Sequence, residues 1–84
     1  MSAVKYFLEV ILMTIGERIK ATRIDADELQ KDLAEKIGCS EMQIRRYEKD
    51  LSEMTISKLK TFCQHYGVSA DYILGLPRGL DWPR

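Results

Sequence analysis

Residues Gln30 to Asp50 read QKDLAEKIGCSEMQIRRYEKD, and the placing of their apolar and turn-forming residues describes two short helices meeting at a corner. Leu29, Leu33 and Ile37 recur at four-residue spacing, which lines side chains along one helix face. Gly38 suits the left-handed turn after a helix, and Ser40 with Gln43 has the form of a capping box that opens the next one. On that second helix Ile44 and Tyr47 share a face, while Glu41, Met42, Arg45, Arg46 and Lys49 lie on the others. Ala34 is small enough to let the two helices cross closely. Such a pair is a helix-turn-helix whose second helix keeps a free outer face.

The flanking sequence extends this unit into a bundle. Thr14 with Glu17 is a capping-box pair, so a first helix is expected over about Ile15 to Ile24, with Ile15, Ile19 and Ile24 inward. Asp27 with Gln30 offers the start of the second helix. Residues 49 to 54 lack a strong period and read as a loop, after which Thr55 caps a fourth helix with an apolar stripe of Ile56, Leu59, Phe62, Cys63 and Tyr66. Gly67 ends it, and Ser69 caps a short fifth helix that places Tyr72, Ile73 and Leu74 before Gly75. The expected fold is therefore all-α, a compact five-helix bundle over residues 14–76. Residues 1–13 are set apart as a leader that is a strand, a helix or disordered, and residues 77–84, rich in proline and glycine, as an extended tail.

Composition narrows the function classes. With 84 residues, 13 basic and 13 acidic side chains, the chain has room for one small domain of no net charge. The apolar run near the N-terminus is interrupted by Glu9 and precedes no small-residue cleavage site, so it does not read as an export signal. Cys39 and Cys63 form no disulfide framework and fit a reducing, cytoplasmic setting, with Cys39 placed beside a helix N-terminus that would lower its pKa. His65 and Cys63 lie two apart on different helix faces, a spacing that recommends no metal site, and no cofactor is expected. No nucleophile–base arrangement or glycine-rich phosphate loop appears, so no enzyme is expected.

A helix of this kind fits the major groove of B-DNA. The residues best placed to meet base edges are Ser40, Glu41, Met42 and Gln43, followed one turn later by Arg45 and Arg46. By side-chain chemistry Arg46 can pair with guanine, Glu41 can accept from cytosine N4, and Met42 can pack on a thymine methyl. Arg45, Lys49 and Lys31 suit phosphates or solvent.

The same stretch resembles the Cro/cI-type (Xre-like) helix-turn-helix regulators of phages and bacteria. It follows their pattern of Gln, Leu-Ala, Gly, Ser, Ile, and an aromatic followed by Glu. IGERIKATR before it and YGVSADYILGL after it extend the resemblance over roughly residues 14 to 76. The resemblance implies a lambda-repressor-like fold, a phosphate contact by Gln30, and an Arg23–Glu48 pair tying the first helix to the end of the recognition helix. It also implies a small transcriptional regulator, a repressor, acting on double-stranded DNA as a homodimer. Asp27 and Leu29 stand where the family has Gly and a Ser or Thr cap, so the second helix is expected to begin earlier. Met54 replaces a common Pro, and Asp25, Asp27, Glu28 and Asp32 make that region acidic. The zero net charge keeps a second class open, a protein-interaction module such as an antitoxin or antirepressor with a regulatory protein partner. Two apolar groups are candidates for the dimer surface: Tyr72, Leu74, Leu76, Leu80 and Trp82, and the leader with Tyr6, Phe7, Leu8, Ile11 and Leu12.

Overall fold

The computed structural model describes residues 11–76, which hold five helices from Thr14 onward: α1 Ile15–Asp25, α2 Gln30–Ile37, α3 Glu41–Glu48, α4 Ile56–Tyr66 and α5 Ala70–Leu74. No strand occurs among the described residues, so the fold is all-helical as expected. Residues 11 and 12 have helical backbone; the remainder of the expected leader up to residue 10, and the tail from residue 77, lie outside the described residues.

The helix starts follow the hydroxyl caps. Thr14 Oγ1 accepts from the Glu17 N–H at 3.1 Å while Glu17 Oε1 accepts from the Thr14 N–H at 2.8 Å, the complete reciprocal box. Ser40, Thr55 and Ser69 accept from the third residue beyond in the same way. In contrast, α2 does not start at Asp27, nor earlier than the family pattern suggests. Its N-cap is Leu29, which has no side-chain acceptor, and only the return half of the box exists, with Asp32 Oδ2 accepting from the Leu29 N–H at 2.9 Å. Asp27 instead terminates α1.

All five helices end on one device. A residue with positive φ (Asp27, Gly38, Asp50, Gly67 or Gly75) reverses the chain. The N–H after it then bonds five residues back, as Glu28 to the Arg23 carbonyl and Leu51 to the Arg46 carbonyl. These tight turns pack the helices around Ile19, Leu33, Ala34, Ile37, Ile44, Tyr47, Phe62 and Ile73, with Cys39, Met54, Leu59, Cys63, Tyr66 and Val68 against them. Ala34 at the α2–α3 crossing is buried, as its size requires.

The inward face of α1 differs from expectation. Ile15 and Ile24 are exposed, and its buried residues are Gly16, Arg18, Ile19, Thr22 and Arg23. Ile56 is likewise off the α4 stripe, 87% exposed at the first position of the helix. Buried polar groups need partners. Thr22 Oγ1 donates to the Arg18 carbonyl, and Arg18 donates to the carbonyls of Met13 and Tyr72 while its guanidinium lies 5.2 Å from the Tyr72 ring centroid.

Candidate nucleic-acid interface

The inner face of α3 is fixed by Ile44, Tyr47 and Glu48, all buried. Its N-terminal turn is held by Ser40, and its C-terminal end is crossed closely by the start of α1. A Cβ on Gly16 would stand 2.5 Å from the Tyr47 carbonyl oxygen and 2.7 Å from that of Glu48, so only glycine allows this approach. Asp50 completes the crossing, since its Oδ1 accepts from the Gly16 N–H at 2.8 Å and satisfies a free donor of the first α1 turn.

Glu48 is the polar anchor. Its two carboxylate oxygens accept from Arg23 Nε at 2.7 Å and Nη2 at 3.1 Å, a bidentate pair, and Oε1 also accepts from Gln30 Nε2 at 3.0 Å. Arg23 Nη1 donates to the Glu28 carbonyl, which ties in the α1–α2 turn. The hydrogen bonds that Arg23 donates to Glu48 hold its pKa above the ordinary value, against the opposing effect of burial. Removing one member of such a buried pair leaves an uncompensated charge, at a cost of about 3–5 kcal/mol. The structure thus contains the Arg23–Glu48 pair that the resemblance implied, and adds Gln30 to it.

With the inner face occupied, Ser40, Glu41, Met42, Arg45, Arg46 and Lys49 are exposed. Gln30 and Gln43 are half-buried. Gln43 does not return to Ser40; its Nε2 donates 2.8 Å to Ser52 Oγ, holding the α3–α4 loop. Arg46 Nη2 donates to the Leu51 carbonyl at 3.3 Å, so the guanidinium folds back over the end of α3. Leu51 and Ser52 escaped sequence reasoning because a loop without period carries no signal of which side chains hold it, and Gly16 because its constraint comes from carbonyls more than 30 residues away.

His65 Nε2 lies 2.9 Å from Glu28 Oε1 and joins α4 to the α1–α2 turn. The hydrogen bond with His65, and then the neighbouring Tyr66 hydroxyl, hold the Glu28 carboxyl below its ordinary value. Burial pushes both cysteine thiols up, so the activation expected of Cys39 at the α3 N-terminus is absent: it packs half-buried against the core, and Lys58 offsets the burial only in part. Among the described residues no group of three or more His, Cys, Asp or Glu is arranged to hold a metal ion, and no helix is long and apolar enough to cross a membrane.

Comparison with known proteins follows the same geometry. The chain is 35% identical over 63 residues to the HTH-type transcriptional regulator ImmR of Bacillus subtilis, a match covering 75% of this chain and 50% of that protein. The chain thus spans about half the length of that curated relative. Its structure is similar to that of the P22 c2 repressor protein, crystallised in complex with a synthetic operator, with a TM-score of 0.70 and 29% identity over 74% of this chain and 94% of that one. Residues 19–73, from the core position of α1 to that of α5, match the helix-turn-helix family. A corner at Gly38, a pinned α3 with an open outer face and these likenesses converge, and the chain belongs to the helix-turn-helix family, among its Cro/cI-type (Xre-like) members.

Proposed function

We propose that the chain is a sequence-specific DNA-binding transcriptional regulator that lays α3 in the major groove of double-stranded DNA. The observation that carries this reading is the division of α3 into a face fully engaged by the protein and a face that the protein leaves open. The likeness to a repressor crystallised with its operator supports it. On the open face Glu41 accepts from cytosine N4, Met42 packs on a thymine methyl, and Arg46, exchanging its 3.3 Å contact with Leu51 for a base, pairs with guanine O6 and N7. Ser40, Arg45 and Lys49 flank these readers at phosphates. Gln30 uses one amide N–H on Glu48 and has the other for a phosphate. Gln43 serves the surface from within, by holding the loop. With no net charge, non-specific affinity is low and specificity rests on base contacts. The regulator acts as a repressor, as a homodimer on two half-sites, in the cytoplasm.

The test is selection from a random duplex library at moderate salt, with Arg46→Ala beside the wild type. A two-fold-symmetric motif is expected, with base preference relaxed in the variant at one position per half-site and affinity lowered by about 1–3 kcal/mol. A folded protein that enriches no DNA refutes the reading and turns attention to a protein partner.

A further inference from the structure

Leu51 lies in the turn directly after α3 and is 60% exposed. A single exposed leucine is ordinary; the way this one is held is not. Its N–H donates to the Arg46 carbonyl at 2.9 Å, and its own carbonyl accepts from Arg46 Nη2 at 3.3 Å. On one side of it Asp50 is bound to the Gly16 N–H, and on the other Ser52 is bound to Gln43, each at 2.8 Å. The turn is fastened to α1 and to α3 through both neighbours, while the Leu51 side chain is left outward. Met42, 66% exposed, stands one helical turn before Arg46 on the same face of α3. Met42, Arg46 and Leu51 therefore form a row that runs off the end of the recognition helix, two apolar groups flanking one guanidinium.

We infer that Leu51 is a second apolar specificity-determining residue of the DNA-reading face, packing on the 5-methyl group of a thymine, and that Gln43 and Ser52 are the positioning pair that holds it there. The inference rests on the DNA-reading function proposed above and adds to it the kind of base at one end of the half-site. Among the groups that base pairs present in the major groove, the thymine methyl is the apolar one. Hydrophobic contact therefore gives Leu51 a preference that a polar residue in the turn would not have. Met42 stands about 6 Å before Arg46 along the helix axis, and Leu51 lies in the turn beyond the helix end.

The experiment is a thymine-to-uracil scan of the selected half-site, which removes one methyl at a time and leaves hydrogen bonding intact. Binding is measured for the wild type, Met42→Ala, Leu51→Ala and Ser52→Ala, each checked for native helicity. Two thymines per half-site are expected at which uracil weakens wild-type binding about fourfold, the factor for one buried methyl-sized group. At one of them the uracil effect disappears in Leu51→Ala, at the other in Met42→Ala. Ser52→Ala shrinks the first effect and spares the second, a pattern that general destabilisation would not give. A selected site in which no uracil effect depends on Leu51 overturns this inference and leaves DNA reading intact, whereas failure to select any site overturns both.

Discussion

Gly16 sets how closely α1 approaches the recognition helix. Alanine is normally favoured over glycine inside a helix by about 0.5–1 kcal/mol, so Gly16→Ala would stabilise an open position. Here the added methyl would meet two backbone carbonyl oxygens, at 2.5 and 2.7 Å, and Asp50 Oδ1 at 2.8 Å. Carbonyls at the end of a pinned helix cannot swing aside as a side-chain tip can, and forcing them apart also lengthens the Asp50–Gly16 bond. The strain of overpacking, about 1–3 kcal/mol, exceeds the propensity gain. We expect Gly16→Ala to lower stability by about 1–3 kcal/mol in urea denaturation and to weaken DNA binding further, as the α3 end and its turn shift; a variant as stable as the wild type would show that the crossing has slack.

Between elements, the contact of α4 with the α1–α2 turn is the one that pH reaches. Glu28 faces His65 and Tyr66 on α4 and Lys36 on α2, and its folded-state pKa is lowered, chiefly by the His65 hydrogen bond. A carboxyl depressed in the folded state adds stability at pH values above its unfolded pKa, and that stability is lost as pH falls through the folded value. Thermal midpoints of wild type and Glu28→Gln should therefore differ near pH 6 and converge below the ordinary carboxylate range of about pH 4–5. The pair is about a quarter exposed, so the gap stays within the roughly 0–1 kcal/mol of solvent-screened pairs. Parallel curves down to pH 3 would remove Glu28 as the cause. This contact also marks where legibility ended. The caps at Thr14, Ser40, Thr55 and Ser69 and the stops at Gly38, Gly67 and Gly75 were readable because each acts within a few residues. The buried face of α1 was not, because Arg18 and Arg23 are buried by partners up to 54 residues away, and apolar periodicity cannot register a pairing at that range. The start of α2 differs from expectation for a local reason: Asp27 looks like an N-cap by type, yet its positive φ makes it the turn that closes α1. At the candidate interface the open residues of α3 were legible from helical spacing alone, but the inward commitment of Gln43 to Ser52 depended on a loop with no period to read.

At the scale of the molecule, the described residues of the two candidate dimer surfaces adjoin. Arg18 donates to the carbonyl of Met13 and to that of Tyr72, which brings the entry to α1 beside α5. Ile11 and Leu12 from the first surface, Ile15 beside them, and Tyr72, Leu74 and Leu76 from the second are all exposed. Next to them Ile15, Ile19, Met54, Leu59 and Leu74 line a shallow groove. For the homodimer proposed above, these exposed apolar side chains are the surface expected to associate. A two-fold interface repeats the same patch on both copies, so a single charge introduced into it is buried twice. Leu74→Glu should therefore convert a dimer to monomers in sedimentation at micromolar concentration, with the thermal midpoint of the monomer little changed because the side chain is exposed there. Since α3 remains intact, the variant should still prefer the half-site sequence while losing the requirement for a second half-site about 34 Å away. A Leu74→Glu protein that still sediments as a dimer and still selects paired half-sites would place the two-fold contact on another face of the bundle.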